Sequence, residues 1–131
     1  MDHQEYSDLT QQANAAFEEG RAQEAAEILR RLISSATLPQ VDRSMMAVNL
    51  ATVLQKSGAD ARQVEAAYDQ GIALEQRVYR SFVREHKASW LNENGRPGEA
   101  AMIYRQLLAE HWPSSSERLR FQHNLTLVTS P

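Results

Sequence analysis

The chain has 131 residues, about one domain, and its 42% apolar and 24% charged residues argue against both disorder and a membrane-embedded protein. Fourteen basic and 17 acidic residues give a net charge of −3 with the signs interspersed, which leaves no electrostatic footprint for nucleic acid or anionic lipid. Cysteine is absent, so disulfides, thiolate chemistry and cysteine-based zinc sites are excluded, and a reducing compartment fits.

In chain order, the first six residues carry neither a basic start nor an apolar run, so no secretory signal is expected there. A helix is predicted over 5–19, with Tyr6, Leu9, Ala13, Ala16 and Phe17 on one face and Gly20 as its stop. A second is predicted over 22–34, with Ala25, Ile28, Leu29, Leu32 and Ile33 as its stripe. A loop holding Leu38 and Pro39 follows, and Asp42 is read as the N-cap of a third helix over 45–57 that stops at Gly58.

Asp60 and Gln63 have capping-box spacing and open a fourth helix carrying Val64, Ala67, Tyr68, Gly71, Ile72 and Leu74. A fifth is placed at 78–94. No glycine or proline lies between Leu74 and Phe82, so a tight turn there and one continuous helix both remain open, the turn being favoured on length. Pro97 sits just inside a sixth helix that runs to about 111, ended by Trp112 and Pro113. Ser114 and Glu117 form another capping box before a last helix reaching about 128, with Leu119, Phe121, Leu125 and Val128 expected inward. No alternating Val, Ile and Thr run predicts a strand, and no run of about 18 apolar residues predicts a membrane helix. An all-α protein of seven helices results, expected to be cytoplasmic and without direct membrane insertion.

Gly20, Gly58 and Gly95 recur 38 and 37 residues apart, each between two amphipathic helices. Ala13, Ala51 and Ala88 each lie seven places before one of them. The helices that follow read Ala25-x3-Leu29-x2-Leu32, Val64-x3-Tyr68-x2-Gly71 and Ala100-x3-Tyr104-x2-Leu107. Small residues at fixed places let antiparallel helices approach, and large ones a turn later fill the layer between them.

This pattern resembles the tetratricopeptide repeat, in the manner of a small bacterial-type member, over nearly the whole chain. The third unit, with Ala88, Leu91, Gly95, Ala100, Tyr104 and Pro113, is the best match. The second has one extra residue after Gly58 and no closing proline. No unit has the family's leading tryptophan, alanine replaces its first glycine, and the period exceeds the usual 34. Other helical-repeat solenoids share part of this signature. The resemblance implies a single domain over 1–131: a right-handed superhelical stack of three antiparallel helix pairs at about 5–38, 42–76 and 77–113, closed by a capping helix at about 115–128.

Chemistry-bearing motifs are missing. His3, His86, His111 and His123 make no His-x3-His pair, and no HExxH, phosphate-binding loop or nucleophile elbow occurs, so neither metal, cofactor nor enzymatic activity is expected. The resemblance implies instead a concave groove lined by the first helices of the units. By position this takes Thr10, Asn14 and Phe17 from the first unit, Met45, Val48, Asn49 and Thr52 from the second, and Phe82, Glu85, His86 and Ser89 from the third. The asparagines stand where the family uses amides to grip a peptide backbone. The cations that clamp an acidic tail in some members are replaced here by Thr10, Phe82 and His86, so an uncompensated carboxylate would be left desolvated. The expected function is a protein-interaction adaptor or scaffold taking an apolar peptide or a partner helix, with no nucleic acid. The rivals are a homodimerisation module and a small tetratricopeptide-type chaperone for a secreted or membrane client.

Overall fold

A computed structural model describes all 131 residues as seven α-helices and one 3-10 turn, without strands. Two units divide the chain, Met1–Val83 and Arg84–Pro131. No helix is long and apolar enough to cross a membrane.

In the first unit, α1 (His3–Glu18) starts at Asp2, whose carboxylate accepts the Glu5 N–H at 2.8 Å. The helix α2 (Ala22–Ile33) follows, then α3 (Gln40–Lys56) and α4 (Ala61–Glu75). The start of α3 corrects the expectation for Asp42, because Pro39, in extended conformation, stands at the N-cap and helix begins at once after it. Asp42 instead occupies the first turn, where its charge favours the helix dipole without capping it. The Asp60–Gln63 capping box is present in both directions, at 3.0 and 3.3 Å. Neighbouring helices pack in sequence, α1 on α2, α2 on α3 and α3 on α4. Ala16, Ala25, Leu32, Ile33, Ala47 and Ala51 are closed off from solvent between them.

The unmarked stretch after Leu74 is a turn. The helix α4 stops at Glu75, Gln76–Val78 tighten into a 3-10 turn, and Tyr79 takes a left-handed conformation at φ 56° and ψ 52°. The Arg80 N–H then reaches back to the Glu75 carbonyl at 3.3 Å. Tyrosine holds a place usually given to glycine, which is why punctuation was absent from the sequence. The next helix, α5 (Phe82–Glu93), begins four residues later than its pattern suggested. Its second residue, Val83, donates its N–H to the carboxylate of Glu75 at 2.6 Å, and both residues are fully buried.

The second unit holds the rest of α5, then α6 (Pro97–Ala109) and α7 (Ser115–Thr129). Proline opens α6 as expected, and Ser114 and Glu117 form the second capping box at 2.8 and 3.2 Å. The helices α6 and α7 pack together, with Leu107 and Phe121 fully buried. Leu119 departs from expectation: it is 72% exposed, on a face of α7 that the unit does not cover. Arg84, nearly buried, pairs with the Glu110 carboxylate, which also accepts the Trp112 indole N–H. Arg118 donates to the Leu108 and Glu110 carbonyls at 2.9 and 2.7 Å, closing the end of α6.

The three phasing glycines end their helices identically. Each has φ between 76° and 82°, the residue after it bonds five back at 2.7–2.9 Å, and the glycine itself bonds three back at 3.1–3.3 Å. That is the Schellman arrangement, and its positive φ is what demands glycine. Two further recurrences went unread in the sequence. Arg21 pairs with Glu24 and Arg96 with Glu99, each just after its glycine. Arg43 donates to the Ile33 carbonyl at 2.6 Å as Arg118 does to Leu108, ten residues back in both cases.

Candidate functional site

The eleven positions proposed for a groove separate into two sets, each lying within one unit. In the first unit, Asn14 and Phe17 on α1 and Asn49 and Thr52 on α3 line one shallow hollow of about 140 Å³, with Ala13, Leu29 and Val53 at its base. The helical period explains the meeting: Asn14 and Phe17 are three residues apart, as are Asn49 and Thr52, so each pair stands on one face. Asn14 is exposed and bonds to no other side chain, and the Asn49 amide has only a long contact of 4.0 Å to the Met46 sulfur. Both amides are therefore available, as donor and as acceptor. The Lys56 ammonium lies 5.6 Å from the Phe17 ring centroid, so the rim carries a cation beside an apolar ring.

Four other positions in this unit behave differently. Val48 is 4% exposed and belongs to the core, which corrects its placement in a groove: α3 is packed by both α2 and α4, and Val48 points inward. The Thr10 hydroxyl bonds to the Tyr6 carbonyl one turn back at 2.8 Å and is partly spent, as is that of Thr52 in the hollow, at 3.1 Å to the Val48 carbonyl. Met45 and Phe82 are each 42% exposed and offer apolar surface, but neither lines the hollow.

In the second unit, Glu85, His86 and Ser89 on α5 share a hollow of about 280 Å³ with Tyr104 and Asn124. Glu85 is not a free acceptor: Arg120 grips both of its oxygens, at 2.8 and 3.1 Å. The pair holds the Arg120 guanidinium above its usual range, through hydrogen bonding to Glu85 first. The Tyr104 phenol is also pushed above its ordinary value, by burial first and then by the Glu85 charge.

A phenol whose pKa is raised on folding gives stability that is full below the unfolded value and lost as pH climbs through the folded one. The ultraviolet difference titration of the wild type against Tyr104→Phe should therefore show one phenolate forming above the free tyrosine value of about 10. An ionisation at or below that value would contradict the buried, anion-facing environment.

Sequence reasoning missed a larger hollow, of about 420 Å³, bounded by α2 and the α3–α4 turn in the first unit. A second of about 190 Å³ continues it between α2, α3 and α4, and the two share Arg30, Leu54 and Gln63. Recurrence of Ala22, Ala26 and Arg30 at four-residue steps was the signal available in the sequence, where it reads only as one more helix face. No protein-family model, no curated protein and no solved structure matches the chain.

Proposed function

We propose that the protein is a cytoplasmic, non-enzymatic interaction module of the tetratricopeptide kind, its helix pairs stacked in a right-handed superhelix, that takes a peptide or partner helix on the first helices of its units. The observation that carries this reading is the convergence of Asn14, Phe17, Asn49 and Thr52 on one hollow between α1 and α3. Two uncommitted amides beside an aromatic ring are what an extended backbone with an apolar side chain requires. The identical glycine turns of α1, α3 and α5 support the repeat.

Peptides selected from a display library on the full chain give the test. Binding should shift the side-chain amide signals of Asn14 and Asn49, and Asn49→Ala should weaken it by about fivefold to tenfold, the worth of one or two backbone hydrogen bonds. Selected peptides that leave both amides unshifted would sink this reading. Self-association is a second reading, favoured by Leu119 and Leu127, both well exposed and eight residues apart on α7. Light scattering over a concentration series decides it, since a constant monomer mass removes the dimer.

A further inference from the structure

The hollows on the α2–α4 side of the first unit have a positively charged wall. Their walls include one arginine and no carboxylate, in a chain whose net charge is −3. Arg30 is exposed and makes no ion pair within the chain, while most other arginines near helix ends are committed: Arg21 and Arg96 to glutamates, Arg43 and Arg118 to carbonyls. The other polar side chains along the groove are neutral: the amides of Gln23, Gln63 and Gln70, and the Ser57 hydroxyl, which is bonded to the Leu54 carbonyl at 3.0 Å. The floor is made of Ala26, Ala67 and Leu54, small enough to let another backbone come close.

From this we infer that the groove between α2 and α4 is a second docking surface, for an extended peptide segment bearing an acidic side chain that pairs with Arg30. A guanidinium presents donors in a planar fork that fits a carboxylate two-fold, and none of its donors is used internally. The amides of Gln23 and Gln70 can both give and accept, and Gln63, whose oxygen takes the Asp60 N–H at 3.3 Å, keeps its NH2 to donate, which suits the alternating N–H and C=O groups of a passing strand. Ala22 to Arg30 spans eight residues of helix, about 12 Å at 1.5 Å per residue. That length is matched by roughly four residues of extended chain at 3.3 Å each. This surface is separate from the α1–α3 hollow and does not depend on it.

Panning a random octapeptide library against the full chain, with Arg30→Gln panned in parallel, tests the assignment. Arg30 is exposed, so the variant keeps its fold, which circular dichroism verifies. Peptides held by the wild type at this face should contain Asp or Glu and shift the side-chain amides of Gln23, Gln63 and Gln70. Their affinity should fall about tenfold on Arg30→Gln, and equally when the peptide's acid is replaced by its amide. Arg30→Lys should recover part of that loss, as a point charge without the fork. The assignment is overturned if no peptide shifts those glutamines, if those that do lack an acid, or if Arg30→Gln leaves their affinity unchanged. Equal displacement of the peptide by inorganic phosphate would reduce the site to an adventitious anion contact and overturn it as well.

Discussion

Glu75→Ala is expected to lower the stability of the protein by about 3 to 4 kcal/mol, the largest effect among the substitutions considered. Glu75 ends α4 with no solvent exposure, and its carboxylate accepts the N–H of Val83, eight residues later and equally buried. Alanine removes the acceptor, leaves the Val83 N–H without its partner in a place water does not reach, and opens a cavity where the side chain was. The carboxylate also sits at the start of α5, where a negative charge is favoured by the helix dipole. Glu75→Gln separates the two contributions. Its amide oxygen keeps the bond and loses the charge, so it should cost about half as much as alanine. Urea denaturation followed by circular dichroism measures both, and a loss below about 1 kcal/mol for alanine would refute the capping role.

Gly71→Ala is expected to destabilise by about 2 kcal/mol, although it places a better helix former inside a helix. Propensity alone predicts a gain of about 1 kcal/mol. Against it, a Cβ at Gly71 would stand 2.8 Å from the Ala47 Cβ and 3.0 Å from a Val83 methyl. The Ala47 Cβ is fixed to the backbone of α3, so it cannot rotate away, and Val83 is fully buried. Relief requires α4 to move from α3, which spreads the cost over the packed faces of both helices. At roughly 4 °C per kcal/mol for a chain of this size, the midpoint of thermal unfolding should fall by about 8 °C. A rise in the midpoint would mean that propensity outweighs packing and that α3 and α4 are not held so close. By contrast, Gly98 meets nothing within 4 Å and has no positive φ, so Gly98→Ala in the first turn of α6 is a control without a clash.

Both effects centre on the same small region, and they explain how the chain turns without the usual residue. Wherever glycine marks a helix end, at Gly20, Gly58 and Gly95, the left-handed conformation is intrinsic to the residue and local hydrogen bonds complete the cap. At Tyr79 that conformation costs a non-glycine residue of the order of 1 kcal/mol. It is sustained by contacts made elsewhere, the Glu75 cap of α5 and the close fit of Gly71 beneath Val83. The turn is thus a tertiary product, whereas the glycine turns are local.

This distinction also separates what was legible in the sequence from what was not. The helical class, the capping boxes at Asp60 and Ser114, the glycine stops and the burial of Ala13, Ala51 and Ala88 all follow from interactions within a few residues or from side-chain period. Sequence alone determines those because helix caps and amphipathic faces are local in origin. The start of α3 was misjudged by a few residues because Asp42 and Pro39 both carry initiation signals, and only the packed chain chooses between them. Val48 was assigned to a surface and lies in the core for a similar reason: α3 is covered on two sides, so its period alone could not tell an open face from a buried one. Glu85 was placed in the groove by position, and Arg120, thirty-five residues on, holds both of its oxygens. Asn14 and Asn49 were placed on a common surface by position, and the stacking of α1 on α2 and α2 on α3 brings them to one hollow. The solitary charge of Arg30 could not be known from the sequence, because whether an arginine has a partner depends on carboxylates brought near it by the fold. Local chemistry therefore determined the helices and their ends. Only tertiary structure decided which faces stay open, which charges remain unpaired, and where a non-glycine residue can turn the chain.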